Sequence, residues 1–213
     1  MAKKFFRYFN LRKDANPSPL SIQAGPIALL GTSADPPSRG HQVLLEGLLT
    51  LFPKVITWVS NNPQKSHQIS LEKRTMLLKA LVQSISNQNL ELIQELSSPW
   101  TIHTLEMASQ KWPQDELLFV IGSDLISQVS KWEKSKDFLC KATLGIVPRI
   151  GWPVESEEIQ KLQSLGAQVR LLPLEIPATA SSKIRLEQSI QDVPPAVLEI
   201  LLKENIYDLH RIL

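Results

Sequence analysis

The sequence has one cysteine, Cys140, and four histidines, and both scarcities limit the chemistry open to the chain. A single cysteine cannot form an intrachain disulfide or provide the thiolate cluster of a structural zinc site. The histidines are far apart, and no two stand four residues apart as in a helical metal site. We therefore predict no protein-held metal, and the missing disulfides make the cytoplasm the expected compartment.

The sequence also lacks long hydrophobic runs and a strong excess of one charge. Its apolar runs are too short for a secretory signal or a membrane span. Lys and Arg number 23 and Asp and Glu 21, so the net charge of +2 argues against a nucleic-acid-binding module. The exception is the amino terminus, where basic and aromatic residues mix. We interpret residues 1–25 as a basic tail and linker, although such a segment can also lie on a membrane surface or on RNA.

Short apolar runs alternate with amphipathic stretches from residue 26 onward, and this alternation predicts a βα repeat. The predicted strands are 26–30, 55–59, 90–93, 117–121, 142–147 and 169–172. The predicted helices are 40–52, 70–85, 101–112, 131–139 and 156–165, with Ser70 and Thr101 as caps. Two or three helices are predicted from Ser181 onward, the second opened by Pro194 and Pro195. The pattern indicates an α/β fold with a doubly wound, mostly parallel sheet and a small helical C-terminal region.

The most informative segment is residues 31–41, which read Gly-Thr-Ser-Ala-Asp-Pro-Pro-Ser-Arg-Gly-His. Small residues let backbone amides approach a phosphate closely, and two prolines stiffen the loop. His41 falls in the first helical turn, where the helix N terminus and a ring N–H both stabilise negative charge. The segment therefore predicts a phosphate site. An ordinary strand-to-helix turn with a surface histidine is the alternative.

This segment resembles the opening pattern of the bacterial nicotinate-nucleotide adenylyltransferases, a branch of the nucleotidylyltransferase superfamily. That pattern is Gly-Gly-Thr/Ser-Phe-Asp-Pro-Pro/Val-His-x-Gly-His. The matching residues are Gly31, Ser33, Asp35, Pro36, Pro37, Gly40 and His41, and those that depart are Thr32, Ala34 and Ser38. Further segments resemble the family in order and spacing, at 63–65, 71–78, 100–105, 119–124, 148–153, 179–185 and 192–207. The resemblance implies one nucleotidylyltransferase domain of Rossmann-like fold over residues 26–213.

The resemblance also implies an activity, the transfer of AMP from ATP to nicotinate mononucleotide. The products would be nicotinate adenine dinucleotide and pyrophosphate, as in NAD biosynthesis. The acceptor phosphate would attack in line, without a covalent intermediate on the protein. Mg²⁺ is the implied cofactor, bound mainly through the ATP phosphates. ATP and nicotinate mononucleotide are the implied partners, and the sequence leaves a homo-oligomer open.

Site residues follow from the same resemblance. The implied catalytic residues are His41, Ser38 and Arg185. The implied ATP contacts are Gly31, Thr32, Ser33, Ala34, Gly40, His41, Gly122, Asp124, Ser181, Ser182 and Arg185. The implied contacts with the nicotinate nucleotide are Lys65, Arg74, Thr101, Ile102, Trp132 and Arg149. Backbone N–H groups near Thr101 and Ile102 would read the nicotinate carboxylate, and we expect Arg39 to supplement the phosphate site.

Two departures keep alternatives open. Ser38 stands where the family has histidine or threonine, and losing a donor to developing charge can cost about 3 kcal/mol. His103 stands where the family has aspartate, which puts the acceptor nucleotide in question. The alternatives are a related adenylyltransferase that uses nicotinamide mononucleotide or phosphopantetheine, and a paralogue that binds nucleotide without catalysis.

Overall fold

The computed structural model describes residues 25–62, 65–177, 179 and 181–212, with side chains described up to residue 209. The predicted tail therefore lies outside the described residues, apart from Gly25. Six strands are present: β1 Ile27–Thr32, β2 Lys54–Val59, β3 Leu90–Leu92, β4 Leu117–Gly122, β5 Thr143–Val147 and β6 Gln168–Leu171. Each overlaps a predicted strand.

The six strands form one sheet in the order β3-β2-β1-β4-β5-β6, and all neighbouring pairs are parallel. The strand order reverses between β1 and β4, and ligands in such sheets bind beyond the carboxyl ends of the strands at this point. The predicted doubly wound, Rossmann-like fold is confirmed. The strand boundaries differ by one or two residues, most at β1, where Gly31 and Thr32 pair with Trp58 and Val59 and so complete the strand instead of opening the loop.

Eight helices connect or follow the described strands: α1 Arg39–Leu51, α2 Leu71–Ile85, α3 Thr101–Lys111, α4 Ile126–Val129, α5 Ser135–Lys141, α6 Ser156–Ser164, α7 Ser181–Glu187 and α8 Pro195–Lys203. Single 3₁₀ turns lie at Gln94–Leu96, Ser123–Leu125 and Ile190–Asp192, and a longer 3₁₀ segment at Ile206–Ile212. Throughout these described ranges, no helix is both long and apolar enough to cross a membrane.

The helix ends bear out one predicted cap and correct another. Ser70 caps α2, since its side chain accepts a hydrogen bond from the Lys73 N–H at 3.2 Å. Thr101 is instead the first residue of α3, Trp100 precedes it, and no side chain caps this helix. The helix predicted from 131 begins only at Ser135, because Lys134 has a φ of 51°, which is left-handed.

Apolar side chains fill both faces of the sheet, which explains why the strands read as continuous hydrophobic runs. Along β1, Ala28 and Leu30 pack on one face, in a core that contains Leu201 of α8. Ile27 and Leu29 pack on the other face, in a core that contains residues of α3, α5 and α6. Helix α8 therefore packs on the same face of the sheet as Ala28 and Leu30.

Candidate active site

A cavity of about 570 Å³ opens beyond the carboxyl ends of β1, β2, β4 and β5. Its wall contains most of the residues that the sequence predicts as functional. These are Gly31, Thr32, Ser33, Ser38, Gly40, His41, Lys65, Thr101, Gly122, Asp124, Trp132, Arg149, Ser181, Ser182 and Arg185. The cavity therefore joins the predicted ATP contacts and the predicted nicotinate-nucleotide contacts in one space.

The imidazole of His41 is held by hydrogen bonds at both nitrogens. The backbone N–H of Ser38 donates to Nδ1 at 3.0 Å, and Nε2 lies 2.7 Å from Oγ1 of Thr32. Because a backbone N–H can only donate, Nδ1 is the acceptor, and the proton of the neutral ring resides on Nε2. His41 therefore donates from Nε2 to Thr32.

Burial lowers the pKa of His41 to about 4. The positive charges of Arg149 and Lys65 lower it further, whereas Asp124 opposes them. His41 is consequently neutral at physiological pH. It can serve as a hydrogen-bond donor, but it carries no charge to neutralise a phosphate.

Ser38 and Arg39 are placed differently from their predicted roles at the phosphates. Ser38 precedes α1, is fully buried, and has its Oγ 2.9 Å from Nδ1 of His41. Its hydroxyl therefore positions His41. The Arg39 side chain lies outside the cavity wall and donates from Nε to the Gln191 carbonyl at 2.6 Å. The expectation that Arg39 supplements the phosphate site is wrong, because its side chain leaves α1 toward the C-terminal segment.

A buried carboxylate, Asp35, connects the loop after β1 to three distant segments. Tyr207 donates its hydroxyl to Oδ1, and the backbone N–H of Gln68 donates to Oδ2 at 3.1 Å. Nδ1 of His67 and Nη1 of Arg185 each lie 3.7 Å from Oδ2. Only 2% of Asp35 is exposed, so these partners offset the cost of burying its charge.

The start of α7 is bound to the same loop. Ser181 donates from Oγ to the Pro36 carbonyl at 2.7 Å, and Arg185 donates from Nη1 to the Asp35 carbonyl. The Gly40 N–H donates to Oγ1 of Thr179 at 2.8 Å. A Cβ on Gly40 would lie 2.4 Å from that oxygen, so this contact requires glycine. These bonds fix the predicted ATP contacts Ser181 and Arg185 against the loop that leads to α1.

An ion pair closes the wall at the end of β4. Nη1 of Arg149 lies 3.0 Å from Oδ2 of Asp124. A Cβ on Gly122 would lie 2.3 Å from Oδ1 of Asp124 and 2.8 Å from Cδ of Arg149. A side chain at position 122 would displace this ion pair, so glycine here leaves room for Asp124 and Arg149 to meet.

The wall across the cavity is aromatic and ends at the start of α3. Trp132 packs on Phe119 and Phe138, with ring centroids 6.4 and 5.9 Å apart. Trp100 also lines the cavity and is 39% exposed. Thr101 places the uncapped N terminus of α3 at the same wall. A flat ring with an anionic substituent fits such a wall, since aromatic faces stack on rings and free helix N–H groups bind anions.

Three predicted contacts lie outside the cavity wall. Arg74 is 2% exposed and donates from Nη1 to the carbonyls of Ser33 and Ser60, at 2.8 and 3.1 Å, so it joins two loops instead of reaching a ligand. Ala34 is fully buried with a φ of 46°, and Ile102 is 2% exposed in the core. His103, the departure from aspartate, is exposed on α3 and also outside the wall.

Three residues of the site, Asp35, Tyr207 and His67, are not among the site residues that the sequence predicts. Asp35 lies inside the recognised motif, but only the structure identifies its partners. Tyr207 lies 172 residues after Asp35. Its place at the end of the family-like segment 192–207 is the one sequence feature that could indicate a role in the site. His67 lines the cavity beside Asp35 and follows the recognised Lys65 by two residues.

Comparisons with known proteins agree with this architecture. The family model described as cytidylyltransferase-like matches residues 29–187. A Synechocystis sp. protein named "Probable nicotinate-nucleotide adenylyltransferase" is 34% identical over 156 residues, which cover 68% of this chain and 78% of that protein. The nicotinate-nucleotide adenylyltransferase of Bacillus subtilis is 31% identical over 137 residues, covering 61% of this chain and 72% of that protein.

The fold also matches a solved structure. Plasmodium falciparum nicotinic acid mononucleotide adenylyltransferase complexed with NaAD superposes with a TM-score of 0.71 at 17% sequence identity. The match covers 87% of this chain and 98% of that chain. At 17% identity this likeness shows that the two proteins share a fold, and no more.

Replacing Tyr207 with phenylalanine should destabilise the protein by about 1–3 kcal/mol, because it removes a donor from the buried Asp35 carboxylate. Urea unfolding measures the change. The control is Glu91→Gln, which weakens a partly exposed ion pair with Lys54 and should change stability by less than about 1 kcal/mol. A loss from Tyr207→Phe no larger than the control would contradict the role assigned to Asp35.

The lowered pKa of His41 predicts how stability depends on pH. Between about pH 6.5 and pH 4 the unfolded chain binds a proton at His41 that the folded chain does not, so wild type loses stability as the pH falls. His41→Gln lacks this loss. Unfolding of both proteins at several pH values should show wild type losing at most about 1.4 kcal/mol per pH unit relative to the variant. A pH-independent difference would mean that burial does not lower this pKa.

Proposed function

We propose that this chain, which belongs to the nicotinate-nucleotide adenylyltransferases of the cytidylyltransferase-like family, transfers AMP from ATP to nicotinate mononucleotide. The products are nicotinate adenine dinucleotide and pyrophosphate, and the reaction belongs to NAD biosynthesis. We propose the cytoplasm as its compartment. The single observation that carries the proposal is that one cavity has two unlike walls, each suited to one of two nucleotides.

The first wall suits a triphosphate. Thr32 and His41 provide a hydrogen-bonded pair, and Arg185 provides a positive charge in the same cavity. Ser182, in the first turn of α7, also belongs to this wall. Charge-assisted hydrogen bonds to phosphate are strong, and a fixed arginine loses little freedom on binding.

The second wall suits a pyridine nucleotide with a carboxylate. Trp132 and Trp100 offer ring faces, and the uncapped N terminus of α3 offers free N–H groups near Thr101. These groups favour the anionic acid over the neutral amide, because the amide leaves the positive helix end without a counter-charge. Lys65 and Arg149 are the proposed contacts with the mononucleotide phosphate.

The proposed reaction needs no covalent step on the protein. An oxygen of the acceptor phosphate attacks the α-phosphorus of ATP and forms a new P–O bond. The bond from the α-phosphorus to the bridging oxygen of the β-phosphate breaks, and pyrophosphate leaves with that electron pair. The chain's own residues align the two nucleotides and stabilise the charge that develops on the phosphoryl oxygens.

We also propose that Mg²⁺ enters with the triphosphate. Within the ranges that the structure describes, no group of three His, Cys, Asp or Glu side chains could hold a metal ion. Among the carboxylates of the wall, Asp35 accepts a hydrogen bond from Tyr207, and Asp124 pairs with Arg149 through Oδ2. This donor set fits an ion that keeps several waters and takes its other ligands from phosphate oxygens, where it neutralises charge.

The proposal predicts turnover that depends on the acceptor. The full chain, with ATP and Mg²⁺, should form dinucleotide and pyrophosphate in equal amounts from nicotinate mononucleotide. The acid should be preferred over nicotinamide mononucleotide by at least about tenfold, because of the free N–H groups of α3. Chromatographic separation of the products measures both quantities, with phosphopantetheine as a third acceptor.

Two arginines near the loop after β1 provide a matched control for this assay. Arg185→Gln should raise the KM for ATP by about tenfold or more, because it removes a charge from the cavity wall. Arg39→Gln should leave turnover unchanged, because Arg39 points to the Gln191 carbonyl. Binding of ATP without product from any acceptor would contradict the proposal and favour a nucleotide-binding paralogue.

A further inference from the structure

The hydroxyl of Thr32 is in contact with His41 and with the backbone of its own loop. Thr32 ends β1, lines the cavity, and places Oγ1 2.7 Å from Nε2 of His41. The backbone N–H of Ala34 also points to this oxygen, at 3.3 Å. Both side chains line the cavity, and the hydroxyl of Thr32 is the hydrogen-bond partner of the His41 ring there.

The positions of the protons around Thr32 determine whether its hydroxyl can donate a hydrogen bond to a ligand. Nδ1 of His41 accepts from the backbone N–H of Ser38, so Nε2 carries the ring proton and donates it to Thr32. The oxygen of Thr32 thus accepts two hydrogen bonds, from His41 and from Ala34, which uses both of its lone pairs. The hydroxyl hydrogen remains to be donated, and within the described part of the chain no acceptor receives it.

The other hydroxyl beside His41 is not available in the same way. Ser38 is fully buried, and its hydroxyl has protein acceptors within reach, Nδ1 of His41 at 2.9 Å and the Thr179 carbonyl at 3.4 Å. Ser38 therefore contacts the imidazole at Nδ1, and Thr32 accepts the hydrogen bond that Nε2 donates on the other side of the ring. The ring of His41 thus connects the Ser38 hydroxyl, at Nδ1, to the Thr32 hydroxyl, at Nε2.

We infer that Thr32 is the group through which His41 acts on the substrate: its hydroxyl donates to a phosphoryl oxygen of bound ATP while it accepts from Nε2 of His41. A donor that itself accepts a hydrogen bond is polarised, which strengthens the bond it donates. The hydroxyl is also held in place before the substrate arrives, so it needs no reorganisation. This inference rests on the proposed function for the identity of the ligand.

Thr32→Val tests the inference, because valine has nearly the same shape but no hydroxyl. The variant should lose on the order of 100-fold in kcat/KM for ATP, the loss typical of one donor to developing charge. Thr32→Ser restores the hydroxyl and should recover most of the activity. Thr50→Val makes the same change at an exposed threonine of α1 and should alter nothing.

A double-mutant cycle separates a relay from two independent groups. If His41 acts through Thr32, adding Thr32→Val to His41→Gln should lower kcat/KM by less than about threefold further. Thr32→Val within threefold of wild type, or two losses that multiply in the double variant, would overturn the inference while leaving the proposed function intact.

Two readouts do not depend on turnover. Nitrogen NMR of histidine-labelled protein, assigned with His41→Gln, should show the proton on Nε2, with faster solvent exchange in Thr32→Val. A proton on Nδ1 would overturn the inference.

Calorimetric titration with ATP alone should show weaker binding by Thr32→Val. If wild type turned over no acceptor, the proposed function would fail, and unweakened binding in this titration would separately overturn the role of Thr32.

Discussion

The buried carboxylate of Asp35 is the constraint on which the site depends. A charge that is 2% exposed is costly unless its partners are in place, so the segments that supply those partners are fixed relative to one another. They are the loop before α2, helix α7 and the C-terminal turn at Tyr207. One side chain thereby couples the loop after β1 to parts of the chain that lie far apart in sequence.

The hydrogen bonds around this carboxylate leave the cavity already arranged. The side chains of Ser38, Ser181 and Arg149 are engaged with other protein groups. These three side chains therefore position other groups of the protein. His41 is neutral, so in the proposed reaction positive charge at the phosphates would come from Arg185 and the nearby cations, and hydrogen bonding from the pair of His41 and Thr32. Selectivity and chemistry are thus assigned to different walls of one cavity.

The sequence predicts the sheet well because strands buried on both faces read as short apolar runs, and the spacing between those runs leaves room for one helix each. The phosphate loop is also recognisable, since its small residues and prolines are contiguous. The spacing of residues in the sequence does not predict the direction in which a side chain points. Arg74 and Arg39 resemble phosphate ligands in sequence, yet one is buried between loops and the other points away. The contact of Tyr207 with Asp35 spans 172 residues and has no local pattern.

Direct transfer between two nucleotides aligned in one cavity is the central claim, and the configuration at phosphorus tests it. The chain would be given ATP with a chiral α-thiophosphate, together with nicotinate mononucleotide, and the configuration of the dinucleotide product would be determined. A single in-line attack inverts the α-phosphorus, and inversion is the result expected here. Retention would require two successive displacements through an adenylylated side chain, and it would contradict the account.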